Sequence, residues 1–587
     1  MSFKTFLYNK LSDIYQNKKK LIVKIHQMKN CIQKTSILTV CLSIILFNSL
    51  LFAQNLEVNH HEVLDDPYIA APRISMEKGP AYREVSSTYF TTQVNIDING
   101  MDIIGDAGNE TSIAVDPTNP NRIVIGWRQF DTVTSNFRQA GYGYSTDGGL
   151  SWTFPGVLNP GVFRSDPVLD FDAEGNFYYN SLQGTFACDV YKIDDGGVIW
   201  NSPIPANGGD KQWMRVDRTN GIGAGNIYSN WNLSFTTCAW DFTRSIDGGD
   251  SFEDCEEVDS EPSWGTIAVD AEGTLYICGQ SDSGLVVIKS TTAKDPSIPV
   301  TFDSVTTVDL GGYLGTGGIN PQGLIGQMWV DVDISGGAGH GNVYVLASVR
   351  RFSNNVPDVM FAKSTDGGET FEAPIKINTD TDDTNIQWFG TMAVAPNGRI
   401  DVVWLDTRNA PTGTDDSVLY YSFSEDQGNT WSSNEAISLA FDPHVGYPQQ
   451  NKMGDYYDMV SDNEGVHLAW ANTINGGQDV YYTHIDPEAI LSLNDITTEI
   501  SNAMIFPNPL SIEATISFSL PSEGHVLVEI FDVLGRKQAT LLNGNAFGPQ
   551  KIKWNGKNGK GNKLASGLYF VSITSESSKT ILKVLLK

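Results

Sequence analysis

Ser145-Thr146-Asp147-Gly148-Gly149-Leu150-Ser151-Trp152 is a phrase that the chain repeats. It returns as Ser245-Ile246-Asp247-Gly248-Gly249-Asp250-Ser251-Phe252, as Ser364-Thr365-Asp366-Gly367-Gly368-Glu369-Thr370-Phe371, and as Ser424-Glu425-Asp426-Gln427-Gly428-Asn429-Thr430-Trp431. A worn copy, Ile193 to Trp200, keeps Asp195, Gly197 and Trp200 without the serine. Asp and Ser side chains bond to nearby backbone groups and hold turns, and Gly adopts the positive φ that tight hairpins need. The terminal aromatic buries a large apolar area and pins the turn to the sheet beneath it. Strand-like alternation precedes the copies, as in Ala140–Tyr144 and Leu419–Phe423. Asp147, Asp247, Asp366, Asp426 and Asp195 therefore read as structural turn residues.

A second repeat runs in phase with the first. Apolar strands that end near an Asp, followed by a turn and another strand, begin near Ser112, Val168, Trp213, Trp264, Trp329, Gly390 and Tyr457. Seven units at intervals of 45 to 67 residues match the period of four-stranded propeller blades with loops. Blades must close into a ring to remove their edges. Unit seven shows three strands, the last being Asp479–Thr483, so the early strand Tyr89–Val94 is expected to close the ring.

The Ser-x-Asp-x-Gly-x-x-aromatic phrase resembles the Asp-box, or bacterial neuraminidase repeat, of the sialidase superfamily. The resemblance implies an all-β, seven-bladed sialidase-like propeller, expected over residues 86–486. It also implies a glycan as substrate or ligand, and places the turns away from the active face.

The formal charge of −30 argues against nucleic acid or an anionic membrane as partner. Lys18-Lys19-Lys20 and the apolar run Ile37 to Phe52 read as a signal peptide over 1–54, with Met28 an alternative start, and leave no membrane span after its removal. Residues 55–85 read as an extended lead-in. Export permits disulfides. Cys188 with Cys238, and Cys255 with Cys278, are the expected pairs.

Residues 487–503 read as a linker, and 504–587 as a small β-sandwich. Pro507-Asn508-Pro509, the Asp532 to Gly535-Arg536 turn, Ser566-Gly567 with Tyr569, and the basic tail closely resemble the C-terminal sorting domain of the type IX (Por) secretion system of Bacteroidetes. That resemblance implies the secretion machinery as a partner and export through periplasm and outer membrane, to the medium or the cell surface. A monomer is expected.

In a propeller, residues just ahead of the inner strands and in the loops between second and third strands converge on one mouth. The first group contains Glu110, Arg164, Asp166, Asp210, Lys211, Trp213, Glu261, Trp264, Trp329, Trp388, Lys452, Asp455 and Tyr456. The second adds Arg128, Arg350, Arg351, Asp406 and Arg408. Charged groups beside aromatic faces suit a sugar. By the sialidase resemblance, Arg164, Arg128, Arg351 and Arg408 would supply a carboxylate-binding triad, Tyr456 with Glu110 or Glu261 the nucleophile pair, and Asp166 or Asp406 the acid. No Arg-Ile-Pro motif precedes unit one. Asp166 paired with Glu110 or Asp406 would alternatively serve other glycoside hydrolysis. A non-catalytic adhesion propeller and a polysaccharide lyase, with His444 near Tyr447, remain alternatives. No cofactor is required. Calcium could bind the oxygen-rich loops at Asp380–Asp383 and Asp415-Asp416.

Overall fold

The computed structural model describes residues 66–193, 199–490, 500–510, 512–533, 535–575 and 579–587. The signal peptide and Asp195 of the worn turn lie outside these residues. The chain divides at Asp486/Pro487 into two compact units.

The first unit holds seven antiparallel sheets, whose innermost strands are Ala107–Val115, Ser165–Phe171, Trp213–Val216, Ile267–Val269, Trp329–Val332, Gln387–Val394 and Asp458–Ser461. Each inner strand neighbours the next, and the seventh neighbours the first, so the unit is a closed seven-bladed β-propeller. Closure is made by Tyr89–Gln93, which pairs antiparallel with Asp479–Ile485, register Thr91 to Thr483. Arg83–Val85 adds a further strand outside it, and Lys78–Pro80 pairs with Met101–Ile103. The stretch read as an extended lead-in thus carries short strands of its own.

A belt of hydrogen bonds at one level of the inner strands crosses six of the seven junctions. Asp458 accepts from Ser112 Oγ (2.5 Å) and the Ile113 amide (3.1 Å). Ser112 Oγ accepts from the Leu169 amide (2.8 Å), and Asp170 from the Val216 amide (2.6 Å). Arg215 Nε donates to the Ile267 carbonyl (3.1 Å), Thr266 Oγ1 accepts from the Val330 amide (3.0 Å), and Asp331 from the Val394 amide (2.8 Å). At the remaining junction Phe389 packs edge-on against Tyr457, with centroids 4.7 Å apart.

The aspartates that end the second repeat cap the turns to the second strands. Asp116 accepts from the Thr118 and Asn119 amides, Asp270 from those of Glu272 and Thr274, and Asp462 from those of Glu464 and Gly465.

The four Ser-x-Asp turns follow the third strands of blades one, three, five and six and share one geometry. In the first, Ser145 Oγ donates to Asp147 (2.8 Å) and accepts from the Gly149 amide (2.8 Å), while Asp147 also accepts from the Ser151 amide and hydroxyl. Gly149, at φ +84°, lies against the Tyr482 ring of blade seven, where a Cβ would clash. Gly249, Gly368 and Gly428 lie likewise against Tyr178, Tyr276 and Phe361 of their preceding blades. Each turn therefore locks neighbouring blades together, with its aspartate bonded inside the turn.

The cysteines pair differently from expectation. Cys238 bonds Cys255, while Cys188 and Cys278 are free thiols buried in blades two and four. Cys238 and Cys255 flank the strand Phe242–Ser245, the outermost of a blade whose fourth strand is reduced to the single bridge Phe242 to Glu256. The disulfide staples the blade that has the least ladder.

In the second unit, five strands form one hydrogen-bonded sheet that includes the long Ala514–Asp532 and Lys537–Trp554. Alternate residues such as Ile516, Phe518, Val528, Ile530, Val571 and Val584 bury one common core. The Asp532 carboxylate accepts from the Arg536 amide and Nε, closing the turn quoted above.

Replacing Asp458 by Ala would strip the Ser112 hydroxyl and the buried Ile113 amide of their acceptor. A loss of about 1–3 kcal/mol is expected in the urea unfolding of the propeller.

Candidate functional site

Each blade places one residue with left-handed backbone just ahead of, or within, the start of its inner strand. These are Glu110 (φ 50°), Asp166 (45°), Lys211 (56°), Trp264 (61°), Gly326 (132°), Phe389 (54°) and Gly454 (93°). In blades one and six the ladder slips at this point, between Asn109 and Ser112 and between Trp388 and Thr391. Such a bulge re-aims a side chain out of its strand's alternation. Non-glycine residues adopt this backbone at a cost of about 1–3 kcal/mol and cluster at functional sites.

The re-aimed side chains of blades one, two and three meet those leading into blade seven. Lys211 Nζ lies 2.7 Å from Asp166 Oδ2, 2.7 Å from Asp455 Oδ2, and 3.8 Å from both Glu110 Oε1 and Asp210 Oδ1. Lys452 Nζ lies 2.6 Å from Asp455 Oδ2 and 3.3 Å from Glu110 Oε1. Arg128 Nε sits 3.1 Å from Glu110 Oε2 and donates to Asn109 Oδ1. Glu110 is wholly buried, Asp166 and Asp455 nearly so.

Burial alone would raise all three acids, and their partners sort them. Glu110 is pushed up to about 8, because desolvation outweighs the cations Arg128 and Lys211 and because Asp166 repels its charge. Burial acts on Asp166 too, but Lys211 and then Arg128 overcome it and hold the carboxyl well below its ordinary value. Asp455 is likewise held low by Lys211 and Lys452 against burial. The cluster therefore sets Glu110, raised by burial, beside Asp166 and Asp455, which their cationic neighbours hold low. Environments that push neighbouring carboxyls apart create distinct acid and base roles.

The aromatic residues drawn from the sequence pack beside or beneath this cluster rather than lining it. Trp213 packs edge-on against Trp329 (5.2 Å) and Tyr456 (5.4 Å), all buried in the inter-blade core. Trp388 is fully buried, with its indole N–H on Ser417 Oγ. Trp264 is half-buried against the core of blades four and five. None of the three buried indoles offers a face to a ligand. Tyr456 donates to the Pro167 carbonyl (2.9 Å), and burial, then Glu110 and Asp166, hold its hydroxyl far above the usual value. This is the opposite of an activated nucleophile.

The arginines do not converge. Arg164 pairs with Asp189 (2.6 Å) and Arg408 with Asp406 (2.6 Å), while Arg351 meets Met360 and lies 3.9 Å from Asp358. Asp406 also accepts from Trp404 Nε1, so it serves blade six. Cations with private partners across three blades do not form one carboxylate clamp.

A feature absent from the sequence reading is the hairpin of Thr316–Gly317 and Asn320–Leu324, inserted ahead of blade five. Asn320 Nδ2 donates to the Gly454 carbonyl and its Oδ1 accepts from the Met453 amide. The Leu324 amide donates to Asp455 Oδ1 (2.8 Å), Phe389 N to the Ile325 carbonyl, and His444 Nε2 lies 3.0 Å from the Ile319 carbonyl. The hairpin spans from blade five past blade six to blade seven and ends on the carboxylate that both lysines hold. Its seven glycines between Gly311 and Gly326, and its lack of alternation, hid its destination.

Among the described residues, no three His, Cys, Asp or Glu side chains are grouped to hold a metal ion. Asp380 and Asp382 accept from Asn378 and from the Thr384 amide and hydroxyl.

The propeller is thus the body of an exported protein, because residues 504–587 match the family of the secretion system C-terminal sorting domain. That domain assigns the chain to the cell surface or the surrounding medium. No curated protein matches the chain. Among solved structures, a protein of unknown function from Dyadobacter fermentans shares 12% identity at a TM-score of 0.38, covering 68% of this chain and 97% of its own. PorZ, a surface component of the type-IX secretion system of Porphyromonas gingivalis, shares 14% identity at 0.27, with 87% and 74% covered. A Trypanosoma rangeli sialidase mutant with trans-sialidase activity shares 10% at 0.35, with 87% and 89% covered.

Lys211→Met should destabilise the propeller by about 3–5 kcal/mol in urea titrations, because Asp166 would be left charged and buried without its nearest counterion, while Asp455 keeps Lys452. Stability should also fall as pH rises from about 4 to about 8. Burial raises Asp458 and Asp241 to about 7, and Asp479 and Glu110 to about 8, so each stabilises fully below its unfolded value near 4 and loses that contribution as pH passes its folded one.

Proposed function

We propose that the propeller acts on an extracellular glycan at the mouth lined by Glu110, Asp166, Lys211, Lys452 and Asp455. Glu110 donates the proton to the glycosidic oxygen, and Asp166 is the ionised partner that serves as base or nucleophile. The observation that carries this reading is one ammonium, Lys211 Nζ, 2.7 Å from Asp166 and 3.8 Å from the buried Glu110, with burial raising Glu110 and the cations holding Asp166 low. That shared contact keeps the two carboxyls close enough to address a single glycosidic bond. Lys211 and Lys452 keep Asp166 and Asp455 charged while Glu110 stays protonated. Proton transfer between these side chains and water requires no metal. Export by the sorting domain brings the site to extracellular polymers. The separate engagement of Arg164, Arg351 and Arg408, together with the passive Tyr456, favours carboxylate-pair hydrolysis over a sialidase-type mechanism.

One observation favours a second, non-catalytic reading, in which the propeller only binds its glycan. Glu110 is completely buried, and Asp455 beside it is capped by the Leu324 amide of the hairpin, so the acid presents no exposed surface to a substrate.

The test is release of reducing ends by the full chain from a panel of neutral polysaccharides, uronic-acid polysaccharides and sialosides. Turnover is expected, falling above about pH 8 as Glu110 loses its proton, and Glu110→Gln should lower kcat by about 10²–10⁴-fold. Undiminished activity in the Gln variant would overturn the assignment of Glu110. Binding without turnover would select the second reading.

A further inference from the structure

The buried indoles offer a sugar ring no resting place, whereas blade five carries two exposed aromatic side chains. Tyr313 and Phe352 are 40% and 72% exposed, and their rings stack with centroids 6.1 Å apart at 29°. Single exposed apolar side chains are ordinary on any surface, but contiguous exposed apolar patches mark binding sites. Here the pair is braced from every side. Tyr313 donates its hydroxyl to Asn355 Oδ1 (2.7 Å), and the Phe352 amide donates to the Gly311 carbonyl (3.1 Å). Gly312 and Tyr313 form a short ladder with Arg351 and Arg350. The Arg350 guanidinium donates to the Asn355 carbonyl on one side and to the Thr316 and Gly317 carbonyls on the other. Two large aromatic side chains are thus kept in water on a braced turn, where their exposed surface gains nothing from folding.

We propose that Tyr313 and Phe352 form a stacking platform for the pyranose ring of a neutral glycan. This rests on the glycan reading above and adds a subsite to it. A flat C–H face suits an aromatic plane, and the hydroxyl rim of the ring would meet the exposed Asn354 and Asn355 beside it. The surplus of 69 acidic over 39 basic residues disfavours a polyanionic chain. Phe352 lies in the loop between the second and third strands of blade five, at the end of the propeller where the inner strands begin. Arg350 grips both the platform's turn and the hairpin whose far end rests on Asp455. A polymer seated on the platform therefore bears on the same segment that reaches Asp455.

Affinity electrophoresis of the full chain in gels containing β-glucan, galactomannan, arabinoxylan or polygalacturonate tests this. At least one neutral polymer should retard the protein, and Phe352→Ala should weaken that retardation roughly five- to tenfold. Phe352→Trp should restore it, and unchanged thermal melting would show that the variants are folded. Equal retardation of the Ala variant, retardation by polygalacturonate alone, or none by any neutral polymer would overturn the platform. Glu110→Gln separates the two proposals. If it abolishes turnover yet leaves retardation unchanged, both stand; if the wild type is retarded without any turnover, the platform stands and hydrolysis falls.

Discussion

Everything at the mouth of this propeller depends on the belt of hydrogen bonds that ties one inner strand to the next. Backbone amides of Ile113, Leu169, Val216, Val330 and Val394 lie at the edges of their own sheets, and each is satisfied by a side chain of the preceding blade. Unpaired buried amides are costly, so a blade displaced from its neighbour would lose more than apolar contact. The belt fixes rotation and height of the blades together. With those fixed, the residues one turn above them have little freedom in where they point.

That rigidity is what sustains the strained backbone of Glu110, Asp166 and Lys211. Left-handed residues with large side chains persist only where surrounding structure over-determines them. The ring does so from both sides, through the belt beneath and through the opposite charges that the neighbouring blades present. Lys211 alone holds carboxylates from blades two and seven. The cluster is at once a closure of the ring and a set of titrating groups with separated proton affinities, so its stability and its chemistry are coupled.

Local chemistry explains which features could be read from the residues. The turns at Asp147, Asp247, Asp366 and Asp426 are closed by atoms at most four residues away, and the aspartates at 116, 270 and 462 cap turns of similar span. Such features carry their own signal. Closure by Tyr89–Gln93 was legible for a different reason, since a three-stranded last blade demanded a partner. The disulfide was not legible. Similar offsets of Cys188 and Cys238 before their turns suggested a bridge between blades, whereas the bond formed across the edge of the one blade lacking a full fourth strand. The indoles misled in a similar way. Trp213, Trp329 and Trp388 stand at positions expected to converge on the axis, but Trp213 packs against Trp329 and Tyr456, and Trp388 against Phe389 and Ser417 of its own blade.

The residue string by itself determined a repeated β architecture, a ring of seven, and an export domain at its end, because hairpin turns, strand alternation and terminal motifs are written in short range. Only the tertiary structure decided which charges meet, which arginines are occupied, and which aromatic rings face water. Those outcomes follow from where blades far apart in sequence bring their loops, and from a hairpin at 316–324 that lands on Asp455 some hundred and thirty residues away. Proton affinities follow the same logic, since the fate of Glu110 is set by burial and by neighbours on other blades.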